Sequence, residues 1–199
     1  MVGQLIEKGF NIMKLKTICS SLLASAAVIA AEGPNMLKNP DFQDKSNHRK
    51  HWKFESMGDE IFTIKYHSDK KAISIASCSN EFSGYLGQYV TIKPGKRYIC
   101  RAETLLPRGR ILLYAIGYGP NGETTGTEGR IWDYSYADNP LFPEFIPFAY
   151  SPGEGKTEWK TISFELKPDK KITKYQVKIG SYFGEGILYV RNVEFREIK

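Results

Sequence analysis

Beyond residue 35 the apolar side chains fall at every second position in short runs, and no window shows the period of about 3.6 residues that marks a helix. Phe62, Ile64 and Tyr66 alternate with Ile61, Thr63 and Lys65, and Ile73 and Ile75 alternate with small polar neighbours. Tyr89-Val90-Thr91-Ile92 runs into Lys93-Pro94-Gly95-Lys96, where Pro and Gly suit the centre of a turn, and the chain returns through Arg97 to Leu105. Further runs cover 111–119, 159–166, 174–183 and 187–198. Alternation of this kind marks a strand with one buried face. About nine or ten strands at spacings of about 8–12 residues predict an all-β chain, a β-sandwich or jelly roll.

One stretch breaks the spacing. From Gly119 to Thr157 the chain carries Gly119-Pro120-Asn121-Gly122, Asn139-Pro140, Phe142-Pro143, Ile146-Pro147 and Ser151-Pro152-Gly153, without a clear strand pattern. A long loop is predicted over 119–157, and loops of that length in compact domains are usually functional. It holds Trp132, Tyr134, Tyr136, Phe142, Phe145, Phe148 and Tyr150. Those rings either close the end of the sandwich as a small core of their own or line a site.

The amino-terminal pattern differs. Lys14 and Lys16 precede an uncharged run, Thr17 to Ala31, rich in Ala, Ser and Leu. A short basic start, a brief apolar stretch and small residues at its end predict a secretory signal peptide, with cleavage after Ala30 or Ala31 and Met13 as the preferred start. The run is shorter than the roughly 20 residues that span a bilayer. The predicted organisation is residues 1–31 as upstream extension and signal peptide and 32–199 as one β-domain, secreted or otherwise extracytoplasmic and without a transmembrane anchor after cleavage.

Composition adds two points. The sequence has 199 residues, is 41% hydrophobic and 25% charged, and carries a formal net charge of +6, which excludes disordered and collagen-like chains. The positive excess is spread along the chain, whereas nucleic-acid binding needs a concentrated basic stripe. The 12 Tyr, 11 Phe and 3 Trp are more than a sandwich core of this size calls for, which raises the question of a ring-lined surface.

Catalytic patterns are missing. There is no Gly-x-Ser-x-Gly, P-loop or His-Glu-x-x-His signature. Glu144, Glu154 and Glu158 form no recognisable pair for glycoside hydrolysis, and His48 and His51 sit in a charged loop that suits solvation better than metal binding. Cys78 and Cys100 follow the leader; in an exported chain they invite a disulfide, with two separately packed thiols as the alternative.

Four segments in order resemble one family. Asn35-Met36-Leu37-Lys38-Asn39-Pro40-Asp41-Phe42-Gln43, with Trp52 after it, is similar to the opening segment of secreted carbohydrate-binding modules of the kind attached to cellulases and xylanases. Gly87 to Tyr98, Trp159 to Phe164 and Ile187 to Phe195 resemble the later conserved strands of those modules. The resemblance implies a galactose-binding-domain-like jelly roll whose one concave sheet face takes glycan chains. Many relatives hold a structural calcium through acids in the first and last segments; here Gln43 and Arg191-Asn192 stand in those places. Two anionic ligands are lost and a cation gained, so a tight calcium site is not expected and Gln43 and Asn192 would form at most a degenerate one. No other cofactor is implied.

On that fold, alternation proposes the binding face. With Tyr98, Cys100 and Ala102 inward, Arg101 and Glu103 point out; with Ile111, Leu113 and Ala115 inward, Leu112, Tyr114, Ile116 and Tyr118 point out; Gln176 and Lys178 follow. The candidate carbohydrate-binding residues are therefore Tyr114, Tyr118, Trp132, Tyr134, Arg101, Glu103 and Gln176. The expected function is non-catalytic binding of polysaccharide or glycan chains by ring stacking and hydrogen bonds. The alternative is an extracellular protein or matrix interaction on the same fold, with a glycan-active enzyme third.

Overall fold

A computed structural model describes residues 31–134 and 157–199. Residues 1–30 of the predicted signal segment, and from the aromatic stretch Tyr136, Phe142, Phe145, Phe148 and Tyr150, lie outside the described residues.

The described chain is built of strands β1 (Lys53–Ser56), β2 (Phe62–His67), β3 (Ala72–Ser77), β4 (Gly84–Thr91), β5 (Arg97–Arg108), β6 (Arg110–Tyr118), β7 (Thr124–Tyr134), β8 (Lys160–Leu166), β9 (Lys174–Ser181) and β10 (Gly186–Ile198), with one 3-10 turn at Asp59–Ile61. They form two five-stranded antiparallel sheets, one ordered β1-β4-β9-β6-β7 and the other β2-β3-β10-β5-β8. This is the β-sandwich jelly roll that the alternation predicts. Among the described residues no helix is long and apolar enough to cross a membrane.

The inner faces meet in one core. Ile73, Ile75, Cys100 and Phe195 from one sheet pack against Leu86, Leu113, Tyr175 and Ile179 from the other, all essentially without solvent exposure. Each such aliphatic or aromatic side chain contributes about 1.5–3 kcal/mol on burial. The predicted turn at Lys93–Lys96 carries the chain from one sheet to the other, with Gly95 at φ 77°. Buried Tyr98 fixes it: its hydroxyl accepts from the Lys93 amide at 2.8 Å and donates to the Lys93 carbonyl at 3.1 Å.

The structure corrects the 119–157 expectation. Only a tight turn at 119–122 precedes β7, which pairs with β6 and closes that edge of its sheet. Its alternation is masked in the sequence because two register irregularities interrupt the pairing and Gly126 adopts φ 90°. Trp132 is therefore a strand residue, and Tyr134 ends the same strand opposite Arg110.

Candidate functional site

The outer face of the β1-β4-β9-β6-β7 sheet gathers most of the sequence-predicted rings. Inward positions on its strands are mostly apolar, and the intervening residues line up in register across the outside. One row runs Tyr89, Gln176, Ile116; the next runs Gly87, Lys178, Tyr114, Arg130; a third holds Glu55, Tyr85, Gly180, Leu112, Trp132. Thr91, Lys174 and Tyr118 share the row beyond Tyr89.

Two tyrosine pairs frame this surface. Tyr85 and Tyr114 meet edge to face at 5.1 Å between centroids, and Tyr89 and Tyr118 at 5.6 Å. Tyr85 and Tyr89 are four residues apart on β4, about 13 Å at the usual strand rise, and Gly87 between them carries no side chain to fill the gap. Tyr89 is 51% exposed, an unusual degree for a large ring. At the far edge Trp132 packs against Tyr182 at 4.3 Å, with the Arg130 guanidinium 5.5 Å over its ring.

A polar strip lies between the pairs. Gln176 is only 3% exposed although it stands on the outer face. Its amide nitrogen donates to the Glu55 carboxylate at 3.2 and 3.4 Å, and its oxygen accepts from the Tyr118 hydroxyl at 3.2 Å. Glu55 in turn pairs with Lys178 at 2.6 Å and with Lys53 at 3.6 Å. The hydrogen bond from Lys178 holds the Glu55 carboxyl below its ordinary range, so it stays anionic. Burial pushes the Tyr118 phenol up to about 12, helped by its hydrogen bond with Tyr89, and burial also raises Tyr85 and Tyr114. These phenols keep their protons at neutral pH and remain hydrogen-bond donors. Rings that offer apolar faces beside donors and acceptors match sugars, which present apolar C–H faces and hydroxyls.

Arg101 and Glu103 are not part of this surface. Both point outward, as alternation requires, but on the opposite sheet. Gly109, at φ 121°, links β5 to β6, and the two strands belong to different sheets. Alternation reports inside from outside and is silent on which sheet a strand joins. There Arg101 makes a two-pronged pair with Glu32 at 2.8 Å and a second contact with Glu194. Glu103 accepts from Arg191 at 2.7 Å and from Asn192 at 2.9 Å, and the Arg191 guanidinium stacks on Trp159 at 4.0 Å. These charges are engaged with one another.

The remaining candidates separate as well. Gln43 is exposed in the first turn and Asn192 is committed to Glu103. That turn is held by side chains: Asn39 donates to the His48 carbonyl at 2.9 Å and accepts from the Asp44 amide at 3.1 Å, while Asp44 pairs with Lys50 at 3.0 Å. Among the described residues no group of three or more His, Cys, Asp or Glu is placed to hold a metal ion. Cys78 is exposed, Cys100 is buried between the sheets, and both are free thiols. His48 stacks on Tyr66 at 3.8 Å.

Sequence reasoning missed Tyr85, Tyr89, Glu55 and Lys174. A signal for the first two was present: Tyr85, Gly87 and Tyr89 share one face of a strand. Glu55 belongs to a four-residue strand too short to show a period.

No protein-family model matches this sequence, and no curated protein does. Solved structures share its fold. The enzymatically active domain of bacteriophage CBA120 tailspike protein 4 superposes with a TM-score of 0.57 at 11% identity, over 82% of this chain and 21% of that one. The module TmCBM61, solved with β-1,4-galactotriose, gives 0.52 at 17% identity over 82% of this chain and 98% of its own. A CBM4 structure gives 0.52 at 14% identity over 80% and 98%. The chain thus spans nearly the full length of the two modules and about a fifth of the tailspike domain. The likeness establishes the carbohydrate-binding-module type of jelly roll as the fold.

Proposed function

We propose that this chain is a secreted, non-catalytic glycan-binding module whose β-domain begins after the leader at residues 1–31. A polysaccharide chain lies across the outer face of the β1-β4-β9-β6-β7 sheet. The observation that carries the reading is the pair of tyrosine pairs, Tyr85–Tyr114 and Tyr89–Tyr118, flanking the strip built on Gln176 and Glu55. Sugar rings stack on the exposed tyrosine faces, above all Tyr89, while the phenols supply hydrogen bonds and the strip holds the rings in place. Trp132, beside Tyr182, extends the apolar surface at the far edge, and Tyr134 closes the same strand. That a module of the same fold and nearly the same extent is solved with β-1,4-galactotriose supports the reading. The tailspike domain is enzymatically active, but this chain corresponds to 21% of it, so its activity does not transfer.

Affinity electrophoresis against a panel of soluble polysaccharides tests the proposal. Retardation by at least one polymer is expected, with Tyr89→Ala weakening it about tenfold, equivalent to about 1.4 kcal/mol. Migration unchanged in every polymer would sink the glycan reading in favour of a protein or matrix partner. Release of reducing ends by the pure protein would overturn its non-catalytic part. Amino-terminal sequencing of protein recovered from the medium, beginning at Ala31 or Glu32, tests secretion.

A further inference from the structure

The two outer faces of the sandwich treat charge differently. On the β2-β3-β10-β5-β8 sheet cations and carboxylates alternate and cancel: Arg101 with Glu32 and Glu194, Arg196 with Glu194, Arg191 with Glu103. On the tyrosine face the cations Lys53, Lys174, Lys178 and Arg130, with buried Arg110 at the end of β6, stand against the carboxylate of Glu55, already committed to Lys178 and Lys53. Glu123, at the end of the same hairpin, folds back on its own turn and accepts from the Asn121 amide at 3.0 Å.

Lys174 stands out within this set. Its ammonium lies over both rings of the pair that frames one end of the surface, 4.7 Å from the centroid of Tyr89 and 5.4 Å from that of Tyr118. Among the described residues it has no carboxylate partner. Two ring faces attract the cation and hold it in place, yet they leave its three donors for an acceptor from outside. A hydrogen bond between an ammonium and an anionic oxygen is about twice as strong as a neutral one. Resting on the glycan-binding reading above, we propose that the bound polysaccharide is acidic, and that Lys174 pairs with a carboxylate or sulfate group on a sugar ring stacked against Tyr89. Lys178 and Lys53 are partly neutralised by Glu55 and bias the surface toward anions without reading a single group.

Binding by the full chain is measured against polygalacturonate (uronate carboxylates), dextran sulfate (sulfate esters) and uncharged galactan and xylan. The proteins compared are the wild type, Lys174→Gln, Lys174→Arg and Lys65→Gln. Lys65 is an exposed residue on β2 of the other sheet and controls for a general loss of positive charge. Binding to at least one acidic polymer is expected, with the uronate and sulfate arms showing which group is read. Lys174→Gln should weaken it about tenfold, Lys174→Arg should retain most of it, and Lys65→Gln should leave it nearly unchanged. Raising salt should weaken it further, since exposed charges are screened over about 8 Å at physiological ionic strength. Equal or stronger binding of the uncharged polymers, indifferent to Lys174→Gln, overturns the acidic inference and leaves the glycan reading standing. Acidic binding lowered equally by Lys174→Gln and Lys65→Gln is ion exchange and also overturns it. Failure to bind any polymer removes both.

Discussion

Gln176 shows how much one side chain can organise. It is almost wholly buried on an outer sheet face, and its amide joins the Tyr118 hydroxyl to the Glu55 carboxylate. It is therefore a positioning residue for a ring and a carboxylate rather than a free hand for a sugar. Gln176→Ala should lower glycan affinity although the amide itself is occupied, and should cost about 1–2 kcal/mol of stability from unpaired neighbours. Isothermal titration beside urea unfolding separates the two effects; full affinity with normal stability would refute this role. The thiols differ as sharply. Burial pushes the Cys100 thiol far up, while Cys78 is exposed. Of the two described cysteines, a thiol reagent should label Cys78 alone in the native protein and both after denaturation, as mass spectrometry of the peptides would show.

At the scale of elements, two connections decide where the chemistry ends up. The turn after β4 depends on Tyr98, whose hydroxyl satisfies both backbone groups of Lys93. Tyr98→Phe leaves these groups without that partner and should destabilise the fold by about 1–3 kcal/mol in urea unfolding. The β4–β9 pair depends on Gly180, where a Cβ would overlap the Gly84 carbonyl oxygen across the sheet. That oxygen belongs to the backbone and cannot swing away. Gly180→Ala should therefore cost about 1–3 kcal/mol and disturb the neighbouring Tyr85–Tyr114 pair. A midpoint equal to wild type would show that the two strands can part at little cost.

Across the whole molecule the acid response follows from where its carboxylates sit. Lys178 holds Glu55, Asn192 and Arg191 hold Glu103, and Glu194 is lowered because Arg196 and Arg101 outweigh the opposing effect of its burial. Each folded-state pKa lies below the ordinary 4.5, so the unfolded chain binds more protons in this region. The stability these groups supply is fully present above that value and is lost as pH falls through their folded values. The melting temperature should hold from pH 7 to about 5 and decline below 4.5, and Glu194→Gln should flatten part of that decline. A decline of the same size in the triple variant lacking Glu55, Glu103 and Glu194 would place the acid sensitivity elsewhere.

The sequence by itself determined the fold class, most strand positions and the inward residues, because alternation records burial residue by residue: Tyr98, Cys100, Ile111, Leu113, Val177 and Ile179 all lie inside as their spacing requires. It also marked Tyr114, Tyr118 and Gln176 as outward residues. Only the tertiary structure decided which outward residues share a face. Arg101 and Glu103 follow the same period as Tyr114 yet sit on the other sheet, since Gly109 carries the chain across and a period of two holds no memory of that crossing. β1 and β7 escaped for local reasons, one too short and the other interrupted by irregular pairing. Tyr85 meets Tyr114, Tyr89 and Lys174 meet Tyr118, and Glu55 meets Gln176, each through strands far apart in the chain, and contacts between distant segments are fixed by sheet order, which no local pattern encodes.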